Sequence, residues 1–536
     1  MSDDTRTEEM SRMRGGVVYH SEEMAVLQHM DLYSNPSRIT PNPTTLLDDN
    51  GGSDTTLRAH GIQNFCEAAV FGSSVLFGFG NDGASHPKVY RKTGAYYQDT
   101  STWGTTGNSA ASANTLPTGF TSGYSPYNLF FHYKGFIYGL GTSGGVSKYL
   151  WKYDVTAAAA FVDSFATLGA TPTTTANGII HKGDDIAYFA YNNVVCSING
   201  AGTFTDNVLV LPTNLRILSL APYGNYLAVS AAPISGVGAS QVLLWDRDSS
   251  LAGVTTIIDW GEGNLKVLDN VYGNLIGVSE ILTDNGFGAN TASVLVKIYG
   301  GSEPIIFKEI KLNASASSSV PALTQSKQVK DNKLFFHGTL PTDRGTIAGI
   351  WCVGKKTGAM PWALSVPIIE KNLAAGKTIN GFIAVGNFWW IAYDTDGSVS
   401  KTRDPASGLA GQYTTTSVYD SQVFSERSPS AWKKLIGVTL EFTPLPSNGS
   451  LTLQYRKDSD SSYTTIFTYT GAGTHSEFGA SGISNTNSLY HKATNIESTG
   501  ANLPTYREIQ FRIQSTGGAE VLGFNFETEE ITANNY

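Results

Sequence analysis

One phrase recurs seven times between Gly72 and Asp394: a tight polar turn followed by a short run of aromatic and β-branched residues. The turns are Gly72-Ser73-Ser74, Lys134-Gly135, Gly183-Asp184-Asp185, Gly224-Asn225, Gly273-Asn274, Asp331-Asn332-Lys333 and Gly386-Asn387. The runs that follow cover residues 75–80, 136–141, 186–191, 226–231, 275–279, 334–338 and 388–393. A second run usually comes after a loop of variable length, at 88–91, 149–153, 194–197, 241–245, 294–299 and 347–353. Units of roughly 40–60 residues built from strands, with no helical pattern inside them, are what propeller blades look like in sequence. A single blade cannot bury both faces of its small sheet, so blades must stack around an axis and close. An ordinary β-sandwich with long hairpins would need fewer and more evenly alternating strands. The repeat therefore predicts a seven-bladed β-propeller over residues 61–415.

The flanks differ from this core. Residues 1–60 are interrupted by Asn35-Pro36 and Thr40-Pro41-Asn42-Pro43, which prevent long helices or strands. They read as an extended N-terminal arm that docks on its own propeller or on a neighbouring subunit. Met24, Leu27 and Gln28 sit at helical spacing and allow one short helix over 22–30. After a linker at 416–430, residues 431–536 alternate cleanly: Val438, Leu440 and Phe442 with Thr439 and Glu441, and Leu451, Leu453 and Tyr455 with Thr452 and Gln454. Period-two alternation puts one face in a core and the other in solvent, which predicts a C-terminal β-sandwich or jelly roll.

Composition agrees with an all-β chain. Of 536 residues 57 are Gly and 11% are aromatic, while 15% are charged against a usual share of about 25%. A net charge of −9 argues against general affinity for a nucleic-acid backbone, and no sequence-specific nucleic-acid partner is expected. Residues 1–13 hold no apolar run of signal-peptide length, and no stretch approaches the ~18 apolar residues of a membrane span. Cys66, Cys196 and Cys352 are widely spaced and read as buried thiols rather than a disulfide framework.

A search for chemistry yields no catalytic, cofactor-binding or metal site. There is no Gly-rich phosphate loop, no His-Glu-x-x-His and no Cys-x-x-Cys. His132 and His337 abut predicted strands and read as structural histidines. Sugar hydrolysis would need two carboxylates about 5–10 Å apart. The candidates Asp184, Asp185, Asp246 and Asp394 fall mostly in turns, where Asp is expected for its side-chain to backbone hydrogen bonds. The run Asp394-Thr395-Asp396-Gly397-Ser398 resembles part of a calcium loop but lacks the distal Glu. Trp245-Asp246 is a single Trp-Asp pair that reads as a strand end. Trp389 and Trp390, adjacent and so on opposite strand faces, are expected between neighbouring blades.

The propeller, the arm with Tyr33-Ser34-Asn35-Pro36-Ser37-Arg38, and a terminal sandwich opening Trp432-Lys433-Lys434-Leu435 together resemble structural proteins of tailed-bacteriophage tails, of nozzle, hub or tail-tip type. The resemblance implies a non-enzymatic virion component, assembled in the host cytoplasm. Its partners would be other tail proteins, further copies in a ring, and a host surface glycan. The alternative is a glycan-binding or glycan-hydrolysing propeller of tailspike or receptor-binding type, with the sandwich as a carbohydrate-binding module.

Overall fold

A computed structural model describes residues 64–70, 73–81, 87–92, 103–104, 129–143, 146–156, 161–235, 238–248, 253–284, 289–311, 322–342, 345–355, 362–369, 379–385, 388–393, 399–402, 416–421, 423–425, 431–443, 445–471, 475–477, 480–483, 490–494 and 504–531, with short strands before residue 50. Among them every extended element is a strand, and no helix is long and apolar enough to cross a membrane. The chain forms two compact units, one of residues 45–348 with 372–404, the other of residues 1–44, 349–371 and 405–536.

The first unit contains the ring of a seven-bladed propeller. Seven inner strands, Asn64–Val70, Phe130–Tyr133, Thr175–His181, Leu215–Tyr223, Asn264–Val271, Ala322–Lys330 and Ile379–Val385, each stand at the end of a sheet and pair antiparallel with the next strand of their blade. Each neighbours the next, and the seventh neighbours the first, so the ring is closed. The recurring sequence phrase is the second strand of a blade, and the run after it is the third. In blade 4, for example, Tyr226–Pro233 pairs on one side with the inner strand and on the other with Ala239–Trp245.

The turns explain why the phrase was visible. Two-residue hairpin turns match strand twist when their backbone is left-handed, which favours Gly, Asn and Asp. Lys134 and Gly135 take φ of 48° and 81°, Tyr272 and Gly273 51° and 75°, and Asp331 and Asn332 49° and 55°. Gly72 and the Gly386-Asn387 turn lie outside the described residues.

Facing blades pack through large aromatics. Trp151 fills the space between blades 1 and 2 with Phe77, Phe79 and Phe130, Trp245 that between blades 3 and 4, and Trp260 that between blades 4 and 5. Glycines make room for these rings. A Cβ on Gly139 would lie 2.3 Å from the Trp151 ring, and one on Gly277 2.5 Å from that of Trp260. Trp390 is fully buried with Leu76 and Tyr90 of blade 1, and the half-buried Trp389 packs at 4.6 Å on Phe335 of blade 6. The two indoles thus point to the two neighbouring blades, as alternation requires.

The ring is latched by the N-terminal arm. Blade 7 draws three strands from the end of the ring, Ile379–Val385, Phe388–Tyr393 and Val399–Thr402, and its outer strand, Thr45–Leu47, from the beginning of the chain. Leu46 lies opposite Lys401 in that antiparallel pair. The arm is therefore built into the protein's own sheets. The described residues of 22–30 are extended rather than helical: Glu23–Ala25 pairs with Val18–His20 in a hairpin, and Leu27–Gln28 and Met30–Asp31 are strands. A segment this short is marginal as a helix in water, whereas a strand partner satisfies its backbone at once.

In the second unit two sheets form the predicted sandwich. One runs Asp4–Glu9, Val521–Glu530, Lys433–Phe442, Tyr490–Thr494. The other includes Ser417–Asp420, Ile509–Thr516, Ser450–Lys457 and Thr464–Thr470 in that order, with Leu27–Gln28 beside Ser417–Asp420. Phe511 of the second sheet meets Phe524 and Phe526 of the first at ring separations of 4.8 and 5.0 Å. Residues 416–430, read from sequence as a linker, thus contain a strand whose Asp420 is fully buried.

Candidate functional site

Of the carboxylates nominated from sequence, Asp184, Asp185 and Asp246 are described, and each is engaged where it stands. Asp184 accepts the Arg247 guanidinium at 2.7 Å and the Tyr188 hydroxyl at 3.0 Å. That ion pair ties blade 3 to blade 4, and Arg247 also donates to the carbonyl of Asn225 within blade 4. Asp185 is ion-paired with Lys134 of blade 2. Asp246 accepts the Asp248 amide at 2.8 Å in a local turn, and its neighbour Trp245 is fully buried core. Asp394 and Asp396 lie outside the described residues. Among the described residues no three His, Cys, Asp or Glu side chains gather as metal donors. Cys66, Cys196 and Cys352 are buried, and burial pushes the Cys66 and Cys196 thiols well up.

His132 and His337 sit in strands, as the sequence predicts, but neither is fully hydrogen-bonded. Nε2 of His132 and both ring nitrogens of His337 are buried without a partner among the described residues. Burial alone lowers His337 to about 3. The imidazole is therefore neutral in the fold. Its contribution to stability is complete above the ordinary histidine value of about 6.5 and is lost as pH falls toward 3. Between pH 6 and 4 this one group should add about 1.4 kcal/mol of unfolding free energy per pH unit. Urea denaturation across that range should show the slope in the native sequence and lose it in His337→Leu. An identical slope in both proteins would contradict the burial.

The site the ring builds lies on its axis. The innermost strand of a blade has a ladder partner on one side only, so its other edge presents unpaired N–H and C=O groups to the axis. Irregular register in the inner strands of blades 3 to 7 frees more of them. The inner strand of blade 6, with the unusually polar run Thr324-Gln325-Ser326-Lys327-Gln328, answers many of these groups. Gln325 donates to the carbonyl of Leu218 at 3.0 Å, and Lys327 to those of Leu220, at 2.7 Å, and Leu268. Gln328 bridges both backbone groups of Ala384 in blade 7, accepting at 2.6 Å and donating at 3.0 Å. Lys327 is neutralised by Asp269 of blade 5 at 2.9 Å. Nearby, Lys266 pairs with the buried Glu280 at 2.6 Å.

Between this polar strand and the inner strands of blades 1, 2, 3 and 7 the ring keeps a cavity of about 300 Å³. Asn64, Glu67, His132, Asn177 and Ser326 line it with polar atoms, and Phe131, Ile179 and Ile383 with apolar ones. Gly178 has no space for a side chain there, since a Cβ would stand 2.3 Å from the Phe131 ring. Glu67 accepts a hydrogen bond from the Ser74 hydroxyl. Desolvation raises its pKa, and the Lys330 charge partly opposes that rise. Glu67 was not nominated from sequence. It lies in an inner strand, Asn64–Val70, that the turn-and-run phrase does not mark.

Fold and site thus define a closed β-propeller with a polar axial cavity. No protein-family model matches the sequence, and no curated protein matches it. Among solved structures, a glycoside hydrolase family 43 arabinoxylan arabinofuranohydrolase from Bacillus subtilis, in complex with cellotetraose, aligns over 91% of this chain and 99% of that one, at 10% identity and a TM-score of 0.29. A likeness that slight has no bearing on activity.

Proposed function

We propose that the chain is a non-enzymatic structural component of a tailed-phage tail, of nozzle, hub or tail-tip type, whose closed propeller serves as a rigid ring for attachment to neighbouring tail proteins. What supports a scaffold over a catalyst is the use of the carboxylates. Asp184, Asp185, Asp269 and Glu280 each pair with a cation, and all but Asp185 do so across a partner less than one-third exposed. Three of those pairs stitch blade to blade, the Lys266–Glu280 pair lies within blade 5, and all four carboxylates are taken up by cations. Gold-labelled antibody against the chain should mark one fixed position on the tails of purified particles in negative stain. Purified virions that lack the chain would overturn the assignment.

A second reading, a glycan-binding propeller of tailspike or receptor-binding type, is favoured by the axial cavity. Within that cavity Asp269 is held by Lys327, so among the described residues Glu67 is the lining carboxyl with no cation within salt-bridge distance. Hydrolysis through a carboxylate pair is poorly served by such a wall, whereas binding requires only one such group.

A further inference from the structure

We infer that the axial cavity is a binding site for one small, neutral, polyhydroxylated ring of monosaccharide size, held at Glu67 and His132 beside the inner strands of blades 1 to 3. This rests on the glycan-binding reading and gives it a location and a ligand size. The volume, about 300 Å³, stands at the lower limit of small-molecule sites and admits a single ring rather than a chain.

Charge and lining chemistry narrow the class further. The one lysine in the wall, Lys327, is neutralised by Asp269 and donates to two backbone carbonyls. A phosphate or carboxylate ligand would therefore face the Glu67 carboxylate, which the Lys330 charge, outside the lining, offsets only in part. A divalent metal would need a donor cluster, and none exists among the described residues. What remains is a wall of mixed donors and acceptors beside the apolar Phe131, Ile179 and Ile383. A sugar ring matches both halves, presenting hydroxyls at its rim and C–H groups on its face. The Glu67 carboxylate, whose pKa desolvation raises, can accept hydrogen bonds from ligand hydroxyls.

The lining itself supports occupancy. Nε2 of His132, a buried nitrogen in a cavity wall with no partner among the described residues, is the kind of group a ligand hydroxyl would satisfy. The cavity also exists because of how the blade 6 strand is distributed. Its polar side chains reach toward blades 4, 5 and 7, through Leu218, Leu268 and Ala384, whereas at blades 1 to 3 it is Asn64 and Asn177 that accept from the backbone, at Phe65, Phe130 and Gly178.

The test is saturation-transfer difference NMR on the full chain with the methyl glycosides of glucose, galactose, rhamnose and N-acetylglucosamine. At least one should bind saturably with a dissociation constant below about 10 mM. Glu67→Gln should weaken that ligand by about tenfold or more. Ile383→Trp, which fills the cavity from blade 7, should weaken the same ligand independently of Glu67. Melting curves identify which variants are folded, and either folded variant decides the matter. Binding that survives in a folded variant would remove the axial site while leaving glycan recognition elsewhere on the protein intact. If no glycoside binds, both the site and the glycan reading fall.

Discussion

Deleting residues 1–49 is expected to leave no stable closed ring. Thr45–Leu47 is the outer strand of blade 7, paired through Thr45–Thr402, Leu46–Lys401 and Leu47–Ser400. Without it Val399–Thr402 becomes an edge, and the seventh blade is no longer joined to the start of the chain. Loss of two or three backbone hydrogen bonds costs about 3 kcal/mol, and the new edge invites pairing with another molecule. Read from sequence, the arm docks on its own propeller or on a neighbouring subunit, and Thr45–Leu47 takes the first of these. Leu46→Pro isolates the effect, because it removes one ladder donor and leaves the rest of the arm in place. Gel filtration should show aggregation or expansion of both variants, and circular dichroism should show earlier melting. A monomeric truncation melting within about 2 °C of the full chain would refute the latch.

Asp420→Ala should have a comparable effect on the second unit. Asp420 is fully buried and binds Arg512 through two hydrogen bonds, at 2.7 and 3.0 Å. The Arg512 guanidinium also lies 4.0 Å from the centre of the Tyr463 ring, which holds it in place. Truncating the acid leaves a largely buried guanidinium without its counter-charge, a defect worth about 3–5 kcal/mol. Replacing both partners by apolar groups of similar volume should be much milder, because the cost comes from the orphaned charge. Equilibrium denaturation would measure both, and a loss below about 1 kcal/mol in Asp420→Ala would show that the pair is solvated.

These two sites also show what could be read in advance. The second and third strands of each blade were legible because both their faces are buried, which gives dense apolar runs, and because their turns demand left-handed backbone at residues such as Gly135 and Asn332. The inner strands were much less visible. Ala322–Lys330 alternates no apolar face, since its Gln325, Lys327 and Gln328 satisfy the backbone of other blades. Thr45–Leu47 and Ser417–Asp420, of three and four residues, are set by partners hundreds of positions away and carry no local period. The axial cavity was hidden for a related reason. Glu67, His132, Asn177 and Ser326 come from four separate blades, and no spacing in the chain links them. Attention to turns led instead to Asp184, Asp185 and Asp246, which prove to be fasteners.

The latch also sets a schedule for synthesis. Thr45–Leu47 emerges from the ribosome before any blade exists, yet its partner Val399–Thr402 follows roughly 350 residues later. At about 5–20 residues per second the strand must wait roughly 18–70 s for the other half of its pairing. Blades 1 to 5 take all four strands from one continuous stretch each and can form in sequence during that interval. Closure is therefore a late event, and a nascent chain carries Thr45–Leu47 without its partner until Val399–Thr402 has been made.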